Sequence, residues 1–194
     1  MTDMLQRLQV HKLWLALIAL CFALQLLQID AAFNRSLIEQ GEVWRLLSGH
    51  IAHLNWSHFG LNMAGVLMVM VFFASYQSNA YWLAAMVFIA LLCSAGLMLD
   101  MRLNSYVGFS GVLHGLFIIG ARFEMRRYKL SGVVLLVLIV AKLIWEQVFG
   151  AMPGSEEMSG GRVAVNAHLY GAVAGGVYLM IAGRVSEYLL RART

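Results

Sequence analysis

Proline occurs once in 194 residues and cysteine twice, and charged residues make up only 12% of the chain. With so little proline, the commonest breaker of long helices is almost missing. Cys21 and Cys93 both fall inside apolar runs, so they make neither a disulfide framework nor a metal cluster and read as small core residues. The shortage of charge, beside 61% hydrophobic residues, excludes a soluble domain of ordinary surface and makes a lipid bilayer the expected solvent. No low-complexity tract or internal repeat breaks the chain. No small-x-small cleavage site follows the first apolar run, so that run is expected to stay as an uncleaved anchor.

What is present is a series of apolar runs: Leu13 to Ile29, His58 to Tyr76, Tyr81 to Leu99, Gly111 to Ala121, Leu130 to Phe149 and Ala164 to Ala182. Most approach the roughly 20 residues that span a bilayer. The fourth reaches that length only if it starts near Val107 and runs to about Phe123, and it is counted because its neighbours require an odd number of crossings there. The expected fold is therefore an all-α polytopic membrane protein of six transmembrane helices, a single unit over residues 1–194.

The formal net charge of +4 does not form one basic stripe, which argues against nucleic acid as a partner. Arg7 and Lys12 precede the first span. Arg122, Arg126, Arg127 and Lys129 lie between the fourth and fifth, and Arg184, Arg191 and Arg193 follow the sixth. By the positive-inside rule these ends are cytoplasmic, and so are both termini. The long outer segment Asp30 to Ser57 carries Trp44 and Trp56, as an interfacial element would. Gly150 to Arg162 holds four glycines and the only proline, a flexible outer loop.

Polar residues inside spans are functional candidates by default. On this topology His58, Ser110 and His168 all lie near the outer ends of the second, fourth and sixth spans, with Asn62 one turn, about 6 Å, below His58 on the same face. Four residues from three helices fall in one shallow layer. Gly111 and Gly115 in the fourth span, and Gly171 and Gly175 on the His168 face of the sixth, are small-residue faces that allow close approach. If the two faces meet, the Ser110 hydroxyl comes within reach of the His168 imidazole. His58 and Asn62, with the backbone N–H at Ser110, would supply oxyanion donors. No carboxylate lies near His168 in sequence, so the expectation is a Ser–His dyad. On spacing alone a structural reading stands beside this one, in which the glycines only pack helices.

The same residues carry a family resemblance. GFSGVLHG, Gly108 to Gly115, resembles the Gly-x-Ser-Gly nucleophile motif of rhomboid intramembrane serine proteases, and AHLYGAVAGG, Ala167 to Gly176, resembles their Ala-His-x-x-Gly-x-x-x-Gly base helix. HFGLN, His58 to Asn62, matches their His-x-x-x-Asn, with His53 in the preceding loop, and Trp44 with Arg45 is similar to the Trp-Arg pair of the first outer loop. The resemblance runs from about residue 44 to 176, in the family's order. It implies a rhomboid-like core with Ser110 as nucleophile, His168 as general base, and His58 and Asn62 as oxyanion donors. It implies a single-span membrane protein as substrate, cut near the outer face. The small core and His114 are most similar to the rhombosortase branch. That branch implies a bacterial inner membrane, a site opening to the periplasmic side, and substrates bearing a C-terminal Gly-Gly tail.

His114 sits one turn below Ser110, a poor angle for a base, and is expected to support the pair. Lys142 and Glu146 share a face of the fifth span and are expected to neutralise each other, a structural pair with Lys142 snorkelling; a role in substrate entry or in support of the site stands as the alternative. His50, His53 and His58 raise a zinc reading, but there is no His-Glu-x-x-His pair and no acidic ligand at metal spacing, so no metal and no cofactor is expected. The competing functions are a catalytically silent rhomboid-like escort, which would usually have lost Ser110 or His168, and a transporter, for which inverted repeats and midplane charges are missing.

Overall fold

A computed structural model describes the backbone of residues 2–191 and the side chains of residues 10–183. The elements in chain order are α1 (Thr2–Leu27), β1 (Phe33–Asn34), α2 (Arg35–Glu39), α3 (Arg45–Ser48), α4 (Trp56–Phe73), α5 (Asn79–Leu99), β2 (Ser105–Tyr106), α6 (Ser110–Arg127), α7 (Lys129–Phe149), α8 (Ser155–Ser159) and α9 (Val165–Arg191), with a 3-10 turn at Ala74–Tyr76. Among the described residues five helices contain a stretch long and apolar enough to cross a membrane: Val10–Leu27, Trp56–Tyr76, Asn79–Leu99, Lys129–Phe149 and Val165–Gly183. Asn55 and Ser78 cap α4 and α5, each side-chain oxygen accepting from a backbone N–H of the first turn.

The fourth expected span corresponds to α6, which is not among those five. Its last turns carry Arg122, Glu124, Arg126 and Arg127, and these polar residues dilute its apolar character. The reason such a helix is tolerated lies in its position, for α6 packs against α4, α5, α7 and α9 at once. A helix walled by other helices need not present an apolar surface of its own. Gly111, Val112, Leu113, Gly115, Leu116, Ile119, Gly120 and Ala121 are all buried. At the far end from Ser110, Glu124 accepts hydrogen bonds from Tyr76 and Ser131. The basic residues Arg7, Arg184 and Arg191 have undescribed side chains, and Arg193 lies outside the described residues.

Close helix approach sets the geometry between α6 and α9. A Cβ on Gly171 would collide with the Gly111 carbonyl, and one on Gly115 or Gly175 would run into the facing backbone. The two glycine faces therefore meet backbone to backbone. Beside them the main core gathers Trp14, Val66, Trp82, Ile89, Val112 and Leu116, with the Trp14 and Trp82 rings edge to face at 5.7 Å.

The segment between α1 and α4 is ordered by buried cations. Arg45, 5% exposed, reaches Asp30 at 3.1 Å, Glu42 at 2.6 Å and the Ala32 carbonyl at 2.8 Å, with its guanidinium 4.4 Å from the Trp44 ring centre. The Arg45 guanidinium in turn holds the Asp30 carboxyl below its ordinary range. Arg35 donates to the carbonyls of Leu97, Met98, Asp100 and Leu103, satisfying the free C-terminal end of α5. The pairing of Phe33 with Tyr106 and Asn34 with Ser105 then ties this segment to the turn that leads into α6.

Candidate active site

Ser110 is the first residue of α6, and the turn before it is tightly fixed. The Gly108 N–H donates to the Gly49 carbonyl at 3.0 Å, and the Tyr106 hydroxyl donates to the Gly108 carbonyl at 2.6 Å. Burial pushes the Tyr106 phenol well above its ordinary range, so it acts as a neutral donor. Gly108 has φ +120°, which L side chains rarely adopt, and a Cβ there would sit 2.7 Å from the His58 ring. Glycine is thus needed both for the turn and for the approach of His58.

His168 lies in the first turns of α9, 6% exposed, with Nε2 3.0 Å from Ser110 Oγ. This contact exists because the Gly111 and Gly171 backbones touch. Its other nitrogen, Nδ1, lies 2.9 Å from Glu146 Oε2, and Glu146 is 2% exposed near the end of α7. A carboxylate only accepts, so Nδ1 carries the proton and donates to Glu146, which leaves the Nε2 lone pair facing the serine hydroxyl. The sequence suggested a two-residue arrangement with no carboxylate at His168. In the structure a carboxylate does lie beside His168, for Glu146, distant in sequence, reaches it through the packing of α7 against α6 and α9.

Around the base, His114 and Lys142 complete a network. The His114 ring stacks on His168, with centroids 4.2 Å apart and planes 19° from parallel. His114 Nδ1 lies 2.7 Å from the Ser110 carbonyl, so it donates there, and Nε2 accepts from the Lys142 ammonium at 3.1 Å. Lys142 also donates to Glu146 Oε1 at 2.5 Å. The pairing of Lys142 with Glu146 thus holds as expected, but Glu146 faces the base as well. His114 spends its donor on the backbone carbonyl of Ser110, not on the hydroxyl.

The expected oxyanion pair is divided. His58 lines a cavity of about 740 Å³ together with Ser110, His114, Lys142, Glu146 and His168. Asn62 does not line it; it is 3% exposed and its amide donates to the His58 carbonyl at 3.0 Å, within α4. One wall of the cavity is the stretch around α8, including Met152, Ser155, Ser159 and Val163. Asn55 pins this stretch to the cap of α4 by donating to the Ser159 carbonyl at 3.0 Å.

The other histidines of the outer segment have separate surroundings. His50 is 1% exposed and bonds Ser94 Oγ at 2.9 Å, while the His53 ring packs edge to face against His58 at 5.3 Å. Burial pushes both down to about 4, helped at His53 by His58. One ligand atom each from His114, Glu146 and His168 lie within 4.8 Å of one another, a grouping the zinc reading from sequence did not consider. Lys142 already places a cation against two of the three, bonded to both His114 and Glu146.

Sequence reasoning missed the link from Glu146 to His168. The signal was there, since Glu146 is a carboxylate inside an apolar run, where an ionisable residue needs a partner. A family model described as Rhomboid domain matches residues 40–185, most of the chain. No curated protein and no solved structure matches it.

Proposed function

The chain belongs to the rhomboid family, whose members are in general intramembrane serine proteases acting on membrane proteins, and from that premise we propose that it hydrolyses a peptide bond with Ser110 as nucleophile and His168 as general base. The observation that carries this reading is the 3.0 Å contact between His168 Nε2 and Ser110 Oγ. As Oγ attacks the substrate carbonyl, its proton passes to Nε2, a C–O bond forms, and the carbonyl electron pair moves to oxygen. Collapse of that oxyanion breaks the C–N bond, and Nε2 returns the proton to the leaving amine. Water then repeats the sequence on the acyl-enzyme and frees Ser110. His58 and Ser110 line the same cavity, and the His58 side chain with the backbone N–H of Ser110 would stabilise the oxyanion, with Asn62 behind His58 on the same helix.

A substrate helix must unwind before it can react, because its N–H and C=O groups are committed to one another. Glycine eases that step. We therefore assign a single-span substrate with small residues at the junction, such as a C-terminal Gly-Gly tail, in keeping with the similarity to rhombosortases. The accompanying picture is one unit of six spans, α6 being the fourth, with both termini cytoplasmic in a bacterial inner membrane and the cavity opening outward. The silent-escort alternative is disfavoured because Ser110 and His168 are both retained and in contact.

The test uses purified chain in liposomes with single-span reporters that differ only at the junction. A Gly-Gly reporter should be cut and a Leu-Leu reporter cut far more slowly. Equal cleavage of both contradicts the substrate assignment, and cleavage of neither contradicts the protease reading. Orientation is tested separately in intact cells. A cysteine near Ser155 should react with an impermeant thiol reagent, and one between Arg122 and Lys129 should not.

A further inference from the structure

Glu146 is the most deeply buried carboxylate among the described residues, at 2% exposure, and its two oxygens serve different partners. Oε1 accepts from Lys142 at 2.5 Å and Oε2 from His168 Nδ1 at 2.9 Å. A carboxylate present only to neutralise Lys142 would need the first contact alone. Lys142 Nζ is bonded to His114 as well as to Glu146, so neutralising the lysine does not explain the second contact of the carboxylate, to His168. Burying a carboxylate without good hydrogen bonds is unfavourable, and here both oxygens are satisfied by groups that converge on the reactive pair.

Resting on the protease reading above, we infer that Glu146 is a positioning residue for His168, making the site a Ser110–His168–Glu146 triad whose acid is oriented by Lys142. Glu146 fixes the tautomer that leaves Nε2 free to take the Ser110 proton, and it faces the imidazolium formed when that proton arrives. It gains no proton itself. Lys142 and His114 complete the arrangement. A lysine ammonium only donates, so His114 Nε2, its partner at 3.1 Å, must be a lone pair, and His114 Nδ1–H is spent on the Ser110 carbonyl at 2.7 Å. His114 is thereby held neutral against the His168 face, where a second cation would oppose the imidazolium.

This geometry makes an unusual demand on the Glu146→Gln variant. Because Lys142 can only donate, it draws the new amide oxygen to itself and turns the NH2 toward His168 Nδ1. That nitrogen must then accept, so the ring proton moves to Nε2 and points at Ser110, where it blocks proton transfer. With purified full-length protein in liposomes and a Gly-Gly single-span reporter, Glu146→Gln should lower kcat by about 100- to 10,000-fold, with KM within about threefold and the melting temperature little changed. Adding Lys142→Met frees the amide to turn its oxygen toward Nδ1–H, so the double variant should recover at least about tenfold in kcat. A purely structural ion pair would give no such recovery.

A Glu146→Gln kcat within about threefold of wild type, or a double variant slower than the single one, overturns the triad. If Glu146→Gln does not fold, the charge-balanced double variant carries the test: wild-type kcat overturns the role, and a loss of about 10- to 100-fold at unchanged KM supports it. Ser110→Ala measured in parallel separates the two claims. Loss of cleavage there with full activity in Glu146→Gln sinks the triad alone, whereas persistent cleavage in Ser110→Ala sinks the protease reading beneath it.

Discussion

A Cβ placed on Gly171 would run into the backbone carbonyl of Gly111, and that contact sets the distance between the two helices that carry His168 and Ser110. The site is thus a consequence of helix packing. The hydroxyl and the imidazole belong to residues 58 positions apart, yet they meet at 3.0 Å because no side chain separates α6 from α9.

Gly171→Ala is therefore expected to lose both stability and cleavage. Overpacking of this kind typically lowers stability by about 1–3 kcal/mol, and a small displacement of His168 from Ser110 should reduce turnover by at least about tenfold. Gly176, one face away, has open space where a Cβ would go. Gly176→Ala should leave both properties near wild type. Melting temperature and reporter cleavage for the two variants side by side check the prediction.

The oxyanion residues should separate. His58 lines the cavity and Asn62 does not, so His58→Ala should lower kcat by roughly 10- to 1000-fold, as loss of an oxyanion donor does. Asn62→Ala should have the smaller kinetic effect, because its amide meets the backbone carbonyl of His58 and not the cavity. Equal losses in the two variants would mean that Asn62 reaches the oxyanion directly during turnover.

How far the sequence could lead follows from where the signals lie. Ser110, His168 and the glycine faces were legible because each is marked within its own helix, by a motif or by an i, i+4 spacing that survives whatever the helix packs against. Glu146 was not recognised as the partner of His168, since 22 residues separate them and only the placement of α7 joins them. The weakness of α6 as an apolar run was visible, but its cause was not, for the burial that excuses it comes from four neighbouring helices. The division between His58 and Asn62 also escaped sequence reasoning. Residues i and i+4 share a helix face, but that does not decide which of them reaches a cavity.

A pH dependence of stability should arise outside the spans, at His50. Its Nε2 meets Ser94 Oγ, and Ser94 donates its own proton to the Leu46 carbonyl at 2.6 Å, so His50 is held as a neutral donor. Burial lowers it from an ordinary 6.5 to about 4. Between those values the unfolded chain binds a proton that the folded chain refuses, so stability is complete above about pH 6.5 and falls as pH drops toward 4. The loss is on the order of 3 kcal/mol for this one group. Melting temperatures from pH 7.5 to 4.5 should show the decline, and His50→Gln should reduce it, leaving the share of His53, which burial lowers to the same range. An unchanged slope in that variant would assign the titration elsewhere.

The central claim is that Ser110 is the nucleophile and His168 its base. The most direct measurement is covalent labelling by a serine-reactive fluorophosphonate probe, run beside cleavage of a Gly-Gly single-span reporter, in wild type, Ser110→Ala, His168→Ala and the double variant. Wild type should label and cleave. Each single variant should fall to background in both assays, and the double variant should be no worse than either, as expected for groups that act as one unit. Labelling or cleavage that persists in Ser110→Ala would contradict the account.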